Sequence, residues 1–333
     1  MLILSIETSC DETAVAVTRN GREVLADEIF SQADMHALYG GVVPEIASRN
    51  HLAVIEKLTA SALAKAKIKK KDIEAVAVTN APGLIGALLV GLNYAKGLAF
   101  ALGVPLVPVH HLRGHIAANY IAFPELAPPF LGVVVSGGNS VLVDVQSYTE
   151  MRILGSTRDD AAGECFDKAA RVLGLPYPGG RPLDELAKTG DAKAFKLPRP
   201  HIDGSELDMS FSGLKTAVVN IAHNAEQKGE PFNKADLAAS FTEAVSDILV
   251  PRVMAASRAV GYGKIAVAGG VAANSRIRAD LQSAAAAQGD ELYLPPLSLC
   301  GDNAAMIGCQ GYYEYIAGTR GDMGTNAYAT MEI

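Results

Sequence analysis

The sequence predicts an α/β protein made of two similar halves, and three observations carry that expectation. Leu2–Glu7 and 13–18 read as strands around a polar turn, Thr8-Ser9-Cys10-Asp11-Glu12, and the Asn20-Gly21 hairpin signal leads into a third strand over 23–30. Phe130–Val135 and 141–145 repeat this strand–turn–strand pattern around Ser136-Gly137-Gly138-Asn139, with Met151–Ser156 following. The chain has 333 residues, 49% of them hydrophobic, enough for two buried cores at roughly 100–200 residues per domain. Duplicated halves of this kind imply a cleft between them.

Each element has its own signal. Pro44 sits where a helix starts, and Ile46, Val54, Ile55, Leu58 and Leu63 form an apolar stripe at helical spacing over 44–68. A buried strand over 73–79, the Pro82-Gly83 break, a long apolar helix over 84–102 and a strand over 105–109 complete the first unit. The Pro-rich stretch Phe123-Pro124-Glu125-Leu126-Ala127-Pro128-Pro129 reads as a linker. Beyond it, helices are expected over 161–173, 182–189, 235–258, 272–287 and 302–316, with strands at Lys264–Ala268 and 291–294. The segment 194–212, with Pro198, Pro200 and Gly204, reads as a long functional loop. No G-x-G-x-x-G follows a strand, which argues against a single dinucleotide-binding sheet.

Composition narrows the function. Lys and Arg number 29 against 36 Asp and Glu, a net charge of −7. That excludes a general nucleic-acid coat, so any nucleic-acid substrate needs a local basic patch or a basic partner. The N-terminus lacks a basic segment, and the apolar stretch 84–103 contains Asn93 and Lys96, short of a membrane span. Four dispersed cysteines without a CxxC pair fit reduced thiols, and the expected compartment is the cytoplasm.

Three groups of residues carry chemistry. In His110-His111-Leu112-Arg113-Gly114-His115, three of the seven histidines fall within six residues, and His111 and His115 share one face of a helix. That spacing suits two ligands of one metal. Leu112 stands where the zinc-protease motif H-E-x-x-H needs its Glu base, so proteolysis of that kind is excluded. A third ligand is then required; Asp302 is the candidate, with a helix N-cap as its alternative role. The second group is glycine-rich. Ser136-Gly137-Gly138, and Gly269-Gly270 ahead of Asn274, allow a phosphate to approach backbone N–H groups. The third runs from Asp159 to Lys168 and on to Tyr177-Pro178-Gly179-Gly180 and Asp184. Its carboxylates suit ribose hydroxyls or a metal, or a solvated helix face.

These motifs together resemble one family across nearly the whole chain. Leu4-Ser5-Ile6-Glu7-Thr8-Ser9-Cys10-Asp11-Glu12-Thr13, Gly40-Gly41-Val42-Val43-Pro44-Glu45, Lys96-Gly97 through Pro105 to Ile116, Ser136-Gly137-Gly138, Asp160 to Lys168, Ser210 to Lys215 and Ala268-Gly269-Gly270-Val271 are similar to the bacterial TsaD family of tRNA adenosine threonylcarbamoyltransferases. The resemblance implies the duplicated actin-like, sugar-kinase and chaperone (ASKHA) fold around a nucleotide-binding cleft. On that basis 1–108 is the N-terminal subdomain, with 309–333 packing back on it, and 109–308 the C-terminal subdomain with the metal and adenylate sites. It implies transfer of threonylcarbamoyl from L-threonylcarbamoyladenylate to N6 of adenosine 37 in tRNAs reading codons that begin with adenine, with release of AMP. It puts the metal on His111, His115 and Asp302, and the adenylate on Val134, Val135, Ser136, Gly137, Gly138, Asp167, Gly180, Asp184 and Asn274. Asp11, with Glu12 beside it, is the candidate proton acceptor for the amine.

Two histidines and one carboxylate favour Fe²⁺ as the single divalent metal, with Zn²⁺ the alternative. The implied partners are tRNA, the paralogue TsaB as a heterodimer through the 44–67 region, and the ATPase TsaE, with a homodimer in isolation. One departure stands out: family members often carry His-Thr after the Ser-Gly-Gly turn, and this chain has Asn139-Ser140. Competing readings are a kinase or ATPase of the same fold using Mg²⁺, and a nucleotide-binding scaffold.

Overall fold

The computed structural model describes all 333 residues, Met1–Ile333. The chain divides into two compact units, Met1–Pro128 with Gln146–Met151 and Pro295–Ile333, and Pro129–Val145 with Arg152–Leu294.

In the first unit the elements run β1 (Leu2–Glu7), β2 (Glu12–Arg19), β3 (Glu23–Ser31), α1 (Ala33–Ala37), α2 (Pro44–Ala66), β4 (Ala75–Ala81), α3 (Ile85–Leu102), β5 (Leu106–His110) and α4 (His111–Ala122). The second unit holds β6 (Phe130–Val135), β7 (Ser140–Val145), β8 (Met151–Ser156), α5 (Ala162–Val172), α6 (Gly180–Ala187), α7 (Ser212–Lys228), α8 (Lys234–Val260), β9 (Lys264–Ala268), α9 (Ser275–Gln288) and β10 (Glu291–Tyr293). Helix α10 (Ala304–Ile316) belongs to the first unit again.

Each unit has a five-stranded sheet, ordered β3-β2-β1-β4-β5 in the first and β8-β7-β6-β9-β10 in the second. In both, the first strand pairs antiparallel with the second and parallel with the fourth. The repeat read from the two strand–turn–strand openings is therefore a repeat of whole sheets. The central strands β4 and β6 are buried along their length, as strands covered on both faces must be.

The first unit's sheet is covered on both sides because its strands alternate. Leu4, Ile6, Val15, Val17, Val76 and Val78 pack against Ile55 and Leu63 of α2 and Leu88 and Leu92 of α3. Ile3, Ala75, Ala77, Val107 and Val109 pack against Ala118 of α4 and Met306 and Ile307 of α10. Pro44 opens α2, and Lys67 and Gly103 close α2 and α3 in the left-handed conformation. Most of the α2 stripe thus faces its own sheet. Helix α3 is long and apolar enough to cross a membrane by length and composition, yet its apolar face is part of this core.

Helix α10 lies very close to the sheet. A Cβ on Gly308 would stand 2.7 Å from Thr18 Oγ1 and 2.8 Å from Ser5 Oγ, and one on Gly311 would stand 2.6 Å from Ala77 Cβ. Ser5 Oγ donates to the Ala304 carbonyl at 2.6 Å, fixing the start of the helix over β1. Helix α4 lies equally close to α10, with 2.6 Å between a Cβ at Gly114 and Ile307 Cδ1. Arg113 pairs with Glu314 at 2.8 Å alongside. The segment Gln146–Met151 is tied in by Tyr148, whose ring stacks on Tyr313 at 3.9 Å. Arg22 lies over the same aromatic group and donates to Tyr313 Oη and Tyr148 Oη.

These contacts move two boundaries. The first unit runs on through α4 to Pro128 instead of stopping at 108, because α4 packs on α10. The returning segment begins at Pro295 instead of 309. Helix α7 was not anticipated; it follows an irregular segment from Thr189 to Phe211 that covers the expected long loop.

Gly308→Ala should destabilise the chain by about 1–3 kcal/mol through overpacking against β1 and β2. Gly97→Ala in α3, where a Cβ meets nothing within 4 Å, should stabilise it by about 0.5–1 kcal/mol. Urea unfolding of the two variants checks both signs.

Candidate functional site

Helix α4 starts directly after β5, so its first residues stand at the C-terminal edge of the sheet, where sites in open α/β sheets collect. His110 caps the helix. Its Nδ1 accepts from Leu112 N, its Nε2 faces the Met331 carbonyl at 3.2 Å, and burial pushes its ring down to about 4. His111 and His115 lie one turn apart, ring centroids 4.6 Å from each other. His111 Nε2 is 3.6 Å, and His115 Nε2 3.1 Å, from the same Asp302 oxygen.

Asp302 does not cap α10. Asn303 does, accepting from Met306 N at 2.8 Å, which leaves the Asp302 carboxylate to face the two rings. The metal candidates of all three residues lie within 4.8 Å of one another. Because α10 stays with the first unit, so do all three residues, and not with the 109–308 subdomain expected from the sequence.

A divalent metal fits this set. Bonds of about 2.0–2.2 Å put neighbouring ligand atoms roughly 3.0–3.5 Å apart, close to the two separations found. His115 is fully buried, its Nδ1 has no hydrogen-bond partner, and its Nε2 meets Asp302 Oδ1 at 3.1 Å; an unpartnered buried nitrogen is costly. The electrostatics agree. Burial disfavours a charged His111, but Glu7 and Asp302 outweigh it and raise the ring to about 9. Burial likewise opposes the Asp302 charge, while His111 and His115 hold it down at about 2. Negative charge gathered around two imidazoles is an environment made for a cation.

Glu7 is the residue sequence reasoning passed over. It is fully buried at the end of β1, with Oε2 3.0 Å from His111 Nδ1. A strand residue in an apolar run gives little warning of such a role. The one available signal was a carboxylate closing a strand that is otherwise Leu-Ile-Leu-Ser-Ile. Next to it, the β1–β2 turn holds Asp11, which is buried, and Glu12, which accepts from Ser31 Oγ at 2.9 Å. Burial and then the neighbouring Asp11 push the Glu12 carboxyl up to about 9.

The second unit gathers the remaining predicted residues at the ends of β6 and β9. Val134 and Val135 close β6, and Ser136-Gly137-Gly138 form the turn to β7. Cβ atoms on Gly137, Gly138 and Gly180 would meet nothing within 4 Å, so these backbone faces are open to a ligand. Gly269 is constrained instead. Its φ is +91°, and a Cβ would stand 2.3 Å from the Val135 carbonyl. Gly163 brings the start of α5 against the same turn, 2.5 Å from the Ser136 carbonyl to an added Cβ.

Asp167 accepts from Gly179 N at 2.8 Å, just ahead of Gly180, and Asp184 accepts from Ser275 N and Oγ beside Asn274. Asn274 caps α9 through Oδ1, while its Nδ2 is buried without a partner. Asn139 donates its backbone N–H to Ser136 Oγ and so keeps the turn closed. Asp159 accepts from Ser210 Oγ, Ser212 Oγ and Phe211 N, which makes it the anchor of α7.

A family model described as TsaD, tRNA N6-adenosine threonylcarbamoyltransferase, matches residues 23–309. A Clostridium botulinum protein named tRNA N6-adenosine threonylcarbamoyltransferase is 52% identical over 331 residues, covering 99% of this chain and 97% of the relative. A Moorella thermoacetica protein of the same name is 53% identical at the same coverage. Among solved structures, the Acidaminococcus fermentans (R)-2-hydroxyglutaryl-CoA dehydratase component A superposes with a TM-score of 0.55 at 19% identity, over 95% of this chain and 97% of that one. The T. kodakarensis HypF structure does so with a TM-score of 0.63 at 15% identity, over 95% of this chain and 48% of that one. At these identities the structural likeness concerns the fold alone.

Glu12 makes stability depend on pH. The folded chain keeps the Glu12 proton up to about 9, whereas unfolding returns the carboxyl to its ordinary 4.5. Stability should therefore fall as pH rises through that window. Glu12→Gln should flatten the slope and gain on the order of 1 kcal/mol at pH 8, after allowance for solvent screening. Thermal unfolding of both proteins from pH 5 to 9 measures it.

Proposed function

The chain belongs to the TsaD family of tRNA N6-adenosine threonylcarbamoyltransferases, and from that premise we propose how its own residues carry out the transfer. The chain moves a threonylcarbamoyl group to N6 of an adenosine in tRNA. In our reading the donor is L-threonylcarbamoyladenylate, the acceptor is adenosine 37 of tRNAs reading codons that begin with adenine, and AMP leaves. The convergence of His111, His115 and Asp302 carries the metal-assisted form of this reading.

Those three residues would hold one divalent ion, Fe²⁺ by preference from a two-histidine, one-carboxylate set, with Zn²⁺ the alternative. When bound, such an ion supplies Lewis-acid chemistry, neutralising charge that develops on oxygen. The donor is a mixed anhydride, so its bond to phosphate breaks without a strong acid. The difficult part is attack by a weakly nucleophilic exocyclic amine, which must lose a proton as the C–N bond forms. Asp11 is our acceptor for that proton. Glu12 beside it is pushed up to about 9 by burial and is held protonated, which makes it the weaker acceptor of the two.

In the second unit, we assign Val134, Val135 and the Ser136-Gly137-Gly138 turn to the phosphoryl group, with the backbone N–H groups of Gly137 and Gly138 as donors. Gly180 gives the adenylate close access to the backbone. Asp167 and Asp184 suit ribose hydroxyls, and the buried Asn274 Nδ2 supplies a donor in need of an acceptor. Partners follow the family reading: TsaB as a heterodimer, TsaE, and a homodimer when the chain is alone. Because Ile55, Leu58 and Leu63 pack in the core, the surface left to a partner on α2 and α3 centres on Leu52, Ile85 and Leu89. The cytoplasm, where tRNA and ATP are at hand, is the compartment we assign.

Reconstitution with tRNA, threonine, bicarbonate, ATP and an adenylate-forming enzyme, read by mass spectrometry of the nucleosides, tests the reaction. His115→Ala should lower metal content and single-turnover transfer together, by roughly 100-fold or more in rate. Asp159→Ala should leave the metal in place. Full metal occupancy in His115→Ala would sink the assignment. For the adenylate, Asn274→Asp keeps the cap oxygen of α9 but loses the Nδ2 donor. Its KM for the adenylate should rise about tenfold with metal content unchanged.

A further inference from the structure

We propose that Glu7 is the positioning residue that makes His111 a metal ligand, and that it ties the ligand to the turn carrying Asp11. The inference rests on the metal reading of His111, His115 and Asp302. An imidazole that binds a metal through one nitrogen must direct the other elsewhere, and a carboxylate acceptor fixes both its tautomer and its ring plane. Glu7 Oε2 lies 3.0 Å from His111 Nδ1. With the Nδ1–H donated there, Nε2 keeps its lone pair on the side of Asp302.

Glu7 itself has little freedom. Its Oε1 accepts from Ser9 N at 2.5 Å and its Oε2 also accepts from Thr79 Oγ1 at 2.5 Å, and the residue is fully buried, so water does not compete. The one other group near the same nitrogen is Ser9 Oγ at 3.2 Å, which is neutral and farther away. Glu7 thus bridges three separate segments: the β1–β2 turn through Ser9, β4 through Thr79 and α4 through His111. A shift of the turn that holds Asp11 is thereby transmitted to the ligand ring.

Charge supports the same assignment. Glu7, fully buried, and Asp302, whose side chain is 20% exposed, bring two carboxylates to a pair of imidazoles, the complement of a divalent ion. Left without such balance, a buried carboxylate is costly.

The test uses the full chain stripped of metal and titrated with Co²⁺ against a competing chelator. Glu7→Gln should weaken Co²⁺ binding about 10–100-fold and shift the visible Co²⁺ spectrum, whereas Ser9→Ala should stay within about threefold of the unmodified chain. In the unmodified chain loaded with Zn²⁺, ¹⁵N NMR of the histidine rings should show His111 protonated at Nδ1 and coordinated at Nε2. That measurement decides the matter if Glu7→Gln fails to fold. Coordination through Nδ1, or Co²⁺ affinity in Glu7→Gln equal to that of the unmodified chain, overturns the proposal. If Asp302→Ala loses Co²⁺ while Glu7→Gln keeps it, the role of Glu7 falls and the metal site stands. If Asp302→Ala keeps Co²⁺, both fall.

Discussion

The close approach of α10 to the first sheet is the constraint on which the convergence of His111, His115 and Asp302 depends. Gly308 and Gly311 leave no side chain between helix and strands, so α10 sits directly on Ser5, Thr18 and Ala77. Ser5 then holds the first turn of α10 by its carbonyl, and Asn303 caps the helix from its own side chain. With the helix start fixed in this way, the preceding residue, Asp302, has one place to be. Bulkier residues on that face of α10 would lift the carboxylate away from His111 and His115 by distances comparable to a metal–ligand bond. The same logic applies to α4, where Gly114 lets the histidine helix approach Ile307.

Much of the architecture was legible because hydrophobic period and turn chemistry agree. The strand–turn–strand openings announced both sheets, and Pro44 marked the start of α2. His111 and His115 were legible for a local reason, since four residues on a helix return to the same face. Asp302 was not, because nothing in its own neighbourhood separates a ligand from a cap. The structure gives the capping task to Asn303, which leaves the Asp302 carboxylate facing the two rings. Glu7 was hidden more deeply. Its role depends on a histidine that follows another strand of the same sheet, and a strand pattern reports which face is buried, not what waits at its end. The unit boundary was misplaced for a related reason: α4 follows β5 without a break, and only its packing on α10 shows where it belongs.

The two sheets share one strand order and carry different chemistry at the same topological position. The turn between the first two strands of the first unit bears Ser9, Asp11 and Glu12; the matching turn of the second bears Ser136, Gly137 and Gly138. One version concentrates carboxylates, which hold protons and attract cations. The other removes side chains at Gly137 and Gly138, which leaves its backbone open to the approach of an anion. A duplicated scaffold can thus divide opposite electrostatic tasks between copies by changing a handful of turn residues, leaving the buried strands that set the fold alone.

The order in which the ligands occur along the chain has a consequence for biosynthesis. Glu7, His111 and His115 precede the second unit along the chain, whereas Asp302 and α10 follow it. A ribosome releases the first unit's strands and α4 early, yet that unit remains without α10 until the whole second unit has emerged. Until Asp302 emerges, the histidines have Glu7 on the Nδ1 side of His111 but no carboxylate on the Nε2 side. A metal centre of the proposed kind would therefore form only once Asp302 and α10 have joined the strands and the two histidines.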